Sequence, residues 1–326
     1  MPLTGTPNSL NSARSRAPRS EPVDPVPVPG GASIWAVGGG KGGIGKSFIS
    51  ANAATIAARS GMRVILIDCD LGGANLHTCL GVRGTPERTN LSDVLEDRVV
   101  DLDKIAVETP VPGLRLILGA LGHTGTAQTN HEQCEHLLQG VRRLPADVII
   151  LDLAAGMDRA TLDFFNGADK SLLVTTPEPT AIENAYSFLR AAFYRRLSYA
   201  MNGSPVRDVI RDAMSQREGL RTPDDLLAAI ERVDPAETER FRSVIRGFRP
   251  RLVVNQVRTT DEVKMGFSIR AVCRRFFGVD LDYVGYINYD DFVWRSIKER
   301  RPLVTAYPQS DGALYIRQIV KKMLKD

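Results

Sequence analysis

Six glycines fall within the eight residues 38–45, between an apolar run (Ser33–Val37) and a helical pattern that begins at Phe48. The string IWAVGGGKGGIGKSFISANAA therefore reads strand, glycine-rich turn, helix. Within it Gly40, Gly45, Lys46 and Ser47 fill the template GxxxxGK[ST]. Glycines let successive backbone N–H groups turn inward without Cβ obstruction, and the N-terminus of the next helix adds positive potential. Gly40, Lys41, Gly42, Gly43, Ile44, Gly45, Lys46 and Ser47 thus form a cradle for phosphates. In it Lys46 reaches the terminal phosphates and the Ser47 hydroxyl ligates Mg²⁺.

The rest of the chain fits that beginning. Short apolar runs (RVILID, LRLILGA, DVIILDL, SLLVTT, RLVVN and LDYVGYI) alternate with helical patterns, notably Phe48–Arg59, His131–Val141, Ile182–Tyr194 and Ala313–Leu324. Runs apolar at nearly every position belong to strands buried on both faces, and their alternation with helices predicts βαβ units. The expected fold is α/β: a doubly wound, mostly parallel sheet with helices on both faces. Residues from about 195 to 250 break the rhythm with polar helical patterns only, and are read as a helical insertion late in the domain. Thr222–Pro223 and Asp234–Pro235 mark two helix starts there, each a capping residue before proline. Residues 1–32, rich in Pro, Ser and Arg, read as a disordered tail, leaving 33–326 as one domain.

Two further segments carry carboxylates where a phosphate-binding sheet would use them. RVILIDCD places Asp68 and Asp70 at the C-terminal edge of a strand, the edge at which such sheets bind ligands. VIILD ends four apolar residues in Asp152, which would hold Mg²⁺ through its water shell.

Lys41, directly after the first template glycine, sharpens the class. GGKGGIGKS resembles the deviant Walker A signature of the MinD/ParA family of P-loop ATPases, in which this lysine reaches across a nucleotide-sandwich dimer to the partner's ATP. The resemblance implies that Asp68 supports the Mg²⁺ environment, that Asp70 positions the hydrolytic water, and that Asp152 is the Walker B aspartate. Asn75 and Gly156 match a switch I asparagine and the switch II glycine. TTPEPTAIENAY is similar to the FlhG/FleN-like sequences of the MinD branch. Asn255 in RLVVNQVR stands where relatives read the adenine edge, and Arg258 replaces the aspartate of a guanine-reading NKxD. In GYINYDD, Asn288 replaces the proline of the family's GxIPxD segment.

The function implied is an ATPase (ATP and water to ADP and phosphate), slow and partner-stimulated. ATP and Mg²⁺ drive homodimerisation, and hydrolysis resets a switch that positions or counts a cellular structure, as in flagellar or division-site regulation. An activating or cargo protein would be the partner. A ParA-type partition ATPase that binds DNA without sequence preference is the alternative, and an amidoligase-type metabolic relative is a second. The flagellar-regulator motif DQAxxLR does not occur. Four cysteines without a CxxC argue against a metallocluster carrier and fit reduced thiols in a cytoplasm. The inner membrane face, cell pole and nucleoid are where such a switch would work.

No run approaches a membrane span, and a net charge of +4 is too small to imply nucleic acid alone. HEQCEH (His131–His136) reads as an exposed helix start rather than a metal clamp, since His136 falls off the face shared by His131 and Cys134. The last helix pattern is read as core packing, although it resembles the membrane-targeting helix of MinD-type proteins. The basic run Arg295–Arg301 is read as a solvated helix face.

Overall fold

The computed structural model describes residues 31–70, 73–83, 90–95, 101–119, 131–215 and 222–325. The tail reading for residues 1–32 therefore lies almost wholly outside the described residues.

Strand β1 (Ser33–Gly38) feeds helix α1 (Lys46–Arg59), and β2 (Val64–Cys69) leads into the short helices α2 (Leu76–Leu80), α3 (Leu91–Leu95) and α4 (Leu102–Ile105). A hairpin of β3 (Val107–Glu108) and β4 (Leu114–Ile117) is followed by α5 (His131–Arg142), β5 (Val148–Leu153), α6 (Arg159–Gly167) and β6 (Lys170–Thr175). Four helices come next: α7 (Pro179–Ala200), α8 (Arg207–Ser215), α9 (Pro223–Val233) and α10 (Glu237–Gly247). The chain closes with β7 (Arg251–Val257), α11 (Thr260–Phe277), β8 (Asp282–Asn288), α12 (Asp291–Lys298), α13 (Leu303–Ala306) and α14 (Asp311–Lys325).

The strands form one sheet in the order β3-β4-β2-β5-β1-β6-β7-β8. Every neighbouring pair is parallel except β3–β4. The expected doubly wound sheet is present, with one strand the apolar pattern did not show. Val107–Glu108 is too short to carry a period, and its antiparallel pairing is set by the turn, where Thr109 Oγ1 donates to Leu114 O at 2.8 Å.

Alternate residues of each strand feed opposite faces. Ile34, Ala36, Ile149 and Leu151 pack with α5, α6, α7 and the helices through α11, whereas Trp35, Val37 and Ile150 pack with α1, α2, α13 and α14. The late helices are continuous with the first of these layers, because Ile210, Leu226, Ile230 and Phe241 are buried in it. Thr222 caps α9 in a capping box with Asp225, as its sequence predicts. Asp234 does not start the next helix. It ends α9, and its Oδ1 accepts from Ala236 N at 3.0 Å in a turn that delays α10 to Glu237. In α14, Ile316, Ile319, Val320 and Met323 are buried against the sheet, so its apolar side is core.

Candidate functional site

The glycine-rich loop turns at the C-terminal end of β1, in the middle of the sheet between β5 and β6. Gly43 (φ +77°) and Gly45 (φ +96°) adopt the left-handed conformation that suits glycine. Neighbours crowd the loop from beneath. A Cβ on Gly40 would lie 2.5 Å from Asn184 O in α7, and one on Gly45 would lie 2.3 Å from Asn255 Nδ2.

Lys46, the first residue of α1, is 8 % exposed, and its Nζ donates to Lys41 O at 3.2 Å, curling the side chain into the loop. Burial lowers its pKa, opposed by the negative charge of Asp152 and Asp70. The carboxylates come from adjacent strands: Asp68 on β2 and Asp152 on β5 are register partners, and both are buried. Asp152 Oδ1 accepts from Ser50 Oγ at 2.8 Å. Both oxygens of Asp68 hold the chain that follows β2, accepting from Asp70 N and from Leu76 N at 3.2 Å each. Burial first, and then the Asp152 charge, push Asp68 up to about 7. Burial pushes Asp152 to about 6, against hydrogen bonds from Ser47 and Ser50.

These residues fit a phosphate chain with a magnesium ion. The loop is shaped by approaches only glycine permits, a buried lysine points into it, and two carboxylates carry desolvation that a cation would relieve. Among the described residues no three His, Cys, Asp or Glu side chains converge as a closed cation site. Mg²⁺ commonly takes one or two carboxylates and completes its shell with phosphate and water.

Lys41 points elsewhere. Its Nζ lies 2.7 Å from Glu178 Oε2 and 3.2 Å from Thr180 Oγ1, at the start of α7. Asn255, at the bulged end of β7, donates from Nδ2 to Ile44 O at 2.8 Å. Gln256, in the left-handed region at φ 60°, donates to Gly43 O at 3.4 Å. Gly156 N reaches Gly39 O at 3.4 Å, placing the turn after β5 against the loop. Arg258 lies 3.7 Å from the Tyr289 ring centroid. His131 stacks on Tyr199 and contacts Asp163, while Cys134 is buried, so that segment belongs to the packing of α5 on α6 and α7.

The sequence reading missed Glu178, Thr180 and Asn184 as neighbours of the loop, and Ser50 and Gln256 as supports. The first three lie inside TTPEPTAIENAY, which was legible only as a resemblance.

A family model described as ParA, NUBPL iron-transfer P-loop NTPase, matches residues 32–198, just over half of the chain. The chain belongs to the ParA/MinD family. It is a P-loop ATPase. Relatives extend the likeness across this family member. Antiactivator FleN of Pseudomonas aeruginosa is 29% identical over 293 residues, covering 89% of this chain and 85% of the relative. Septum site-determining protein MinD of Synechocystis is 28% identical over 275 residues, covering 82% and 97%. Among solved structures, MinD from Pyrococcus horikoshii complexed with Mg-ADP superposes with a TM-score of 0.62 at 18% identity, covering 90% of this chain and 96% of that one. A putative plasmid partition protein from Borrelia burgdorferi bound to AMPPNP gives 0.60 at 18%, covering 90% and 99%. At that identity the two structures speak for the fold.

Proposed function

We propose that this ATPase is a nucleotide-timed switch that sets the position or number of a cellular structure, as the name of its septum site-determining MinD relative implies for that protein. The observation that carries it is the meeting of a glycine-built loop and buried Lys46 with the paired carboxylates Asp68 and Asp152 at one sheet edge. Residues 33–326 act as a single ATPase domain.

Gly40–Ser47 hold the phosphates of ATP, Ser47, Asp68 and Asp152 hold Mg²⁺, and Asp70 orients the attacking water. Lys41 leaves Glu178 and completes the site of a second copy, so the ATP-bound form is a homodimer. Asn255 supports adenine over guanine for a geometric reason. Because Ile44 O is an acceptor, the atom facing it must be the amide nitrogen, which leaves Oδ1 turned away as an acceptor. An acceptor suits the exocyclic amine of adenine and repels the carbonyl oxygen of guanine.

Among the described residues no helix is long and apolar enough to cross a membrane. The protein works in the cytoplasm with an activating or cargo protein. Imaging a functional fluorescent fusion in its native cell tests the assignment. Polar or septal foci that disperse in the Lys46→Ala variant are expected, and a uniform signal with both proteins would overturn it. ATP-dependent nucleoid coating would instead favour the DNA-partition reading.

A further inference from the structure

Away from the phosphate loop, a cavity of about 460 Å³ lies between the end of α2, the β3–β4 turn and the turn that follows α12. We propose that it binds a small anion-bearing ligand, phosphate or carboxylate, through Arg83, Arg300 and Arg301.

The charge of the lining is one-sided. Three arginines line the cavity against one acidic residue, Glu299. Glu299 is already engaged by the Tyr307 hydroxyl and lies 3.9 Å from Arg301. Among the described residues neither Arg83 nor Arg300 has an acidic partner. Leu80, Val111 and Pro302 supply apolar wall, so the cavity combines apolar surface with a few convergent polar groups. That composition and volume belong to small-molecule sites, and guanidinium is the side chain that grips planar or tetrahedral oxyanions in pairs.

Backbone geometry singles out Arg300. Helix α12 ends in a Schellman motif, with Arg301 N donating to Ser296 O and Arg300 N to Ile297 O, both at 3.0 Å. The residue between must be left-handed, a place usually taken by glycine, and Arg300 occupies it at φ 53°. An unfavourable conformation kept by a long cation points to use of that cation. The Arg300 carbonyl also lies close to the end of α2, since a Cβ on Gly81 would stand 2.6 Å from it. Burial and the Arg300 charge together lower the pKa of His77, so the cation is felt across α2.

The test uses the full chain saturated with Mg²⁺ and a non-hydrolysable ATP analogue, so that the phosphate loop is filled. Inorganic phosphate and succinate are titrated separately by calorimetry, and the probe that binds identifies which oxyanion the site takes. One saturable site is expected for at least one probe, weakened tenfold or more in both Arg300→Gly and Arg83→Ala. Arg300→Gly places the preferred residue in the motif, so its melting temperature should equal or exceed that of the parent while binding is lost. Absence of binding by both probes, or unchanged affinity in the two variants, would overturn the proposal.

Discussion

Lys41 Nζ lies 2.7 Å from Glu178 Oε2, so the lysine beside the phosphate loop is held by its own chain. Both side chains are substantially exposed, 38 % and 60 %, and a pair of that kind contributes about 0–1 kcal/mol. It is a weak tether that a phosphate chain can outcompete.

Lys41→Ala should therefore leave monomer stability within about 1 kcal/mol of the parent. It should still prevent dimerisation with ATP in an Asp70→Ala background, where hydrolysis is blocked. Light scattering decides this, and a dimer that survives in the double variant rules out transfer of Lys41 across the interface.

Lys46→Ala should weaken nucleotide binding by roughly 100-fold or more, given about 1.5–3 kcal/mol for each charge-assisted hydrogen bond lost. Folding should be maintained, because the parent bears the cost of burying this cation. Calorimetry with ADP and Mg²⁺ provides the check, and near-parental affinity would contradict the site.

Gly45→Ala should damage the loop in two ways. It places a side chain at φ +96°, and the new Cβ meets Asn255 Nδ2 at 2.3 Å. A loss of about 1–3 kcal/mol in urea unfolding is expected from that strain. Release of Asn255 from Ile44 should also reduce discrimination between ATP and GTP, which competition binding measures.

Asp68 gives the nucleotide-free protein a distinctive pH dependence. Its pKa rises from an ordinary 3.8 to about 7, so between those values the folded chain binds more protons than the unfolded chain. Stability falls with rising pH across that window, by on the order of a few kcal/mol from this group. In EDTA the parent should be more stable near pH 5 than near pH 7.5, and Asp68→Asn should flatten that slope. An identical slope in the two proteins would refute the assignment.

Much of this was legible before any coordinates. Runs such as VIILDL show no alternation because β5 is buried on both faces, so burial itself wrote the parallel sheet into the sequence. GxxxxGK[ST] was legible for a related reason: the approach of Asn184 O to Gly40 and the left-handed conformation of Gly45 leave glycine little competition at both template positions. The start of α10 was misread, because a local signal at Asp234–Pro235 cannot tell a helix cap from the turn that ends the preceding helix.

By itself, then, the sequence determined the sheet, the phosphate loop and the carboxylates at its edge, since each is encoded by neighbours in the chain. Only the tertiary structure decided that Lys41 rests on Glu178, that Asn255 braces Ile44, and that Arg300 and Arg83 line one cavity. Those pairs are 137, 211 and 217 residues apart in the chain, and no local period records which distant segments will meet.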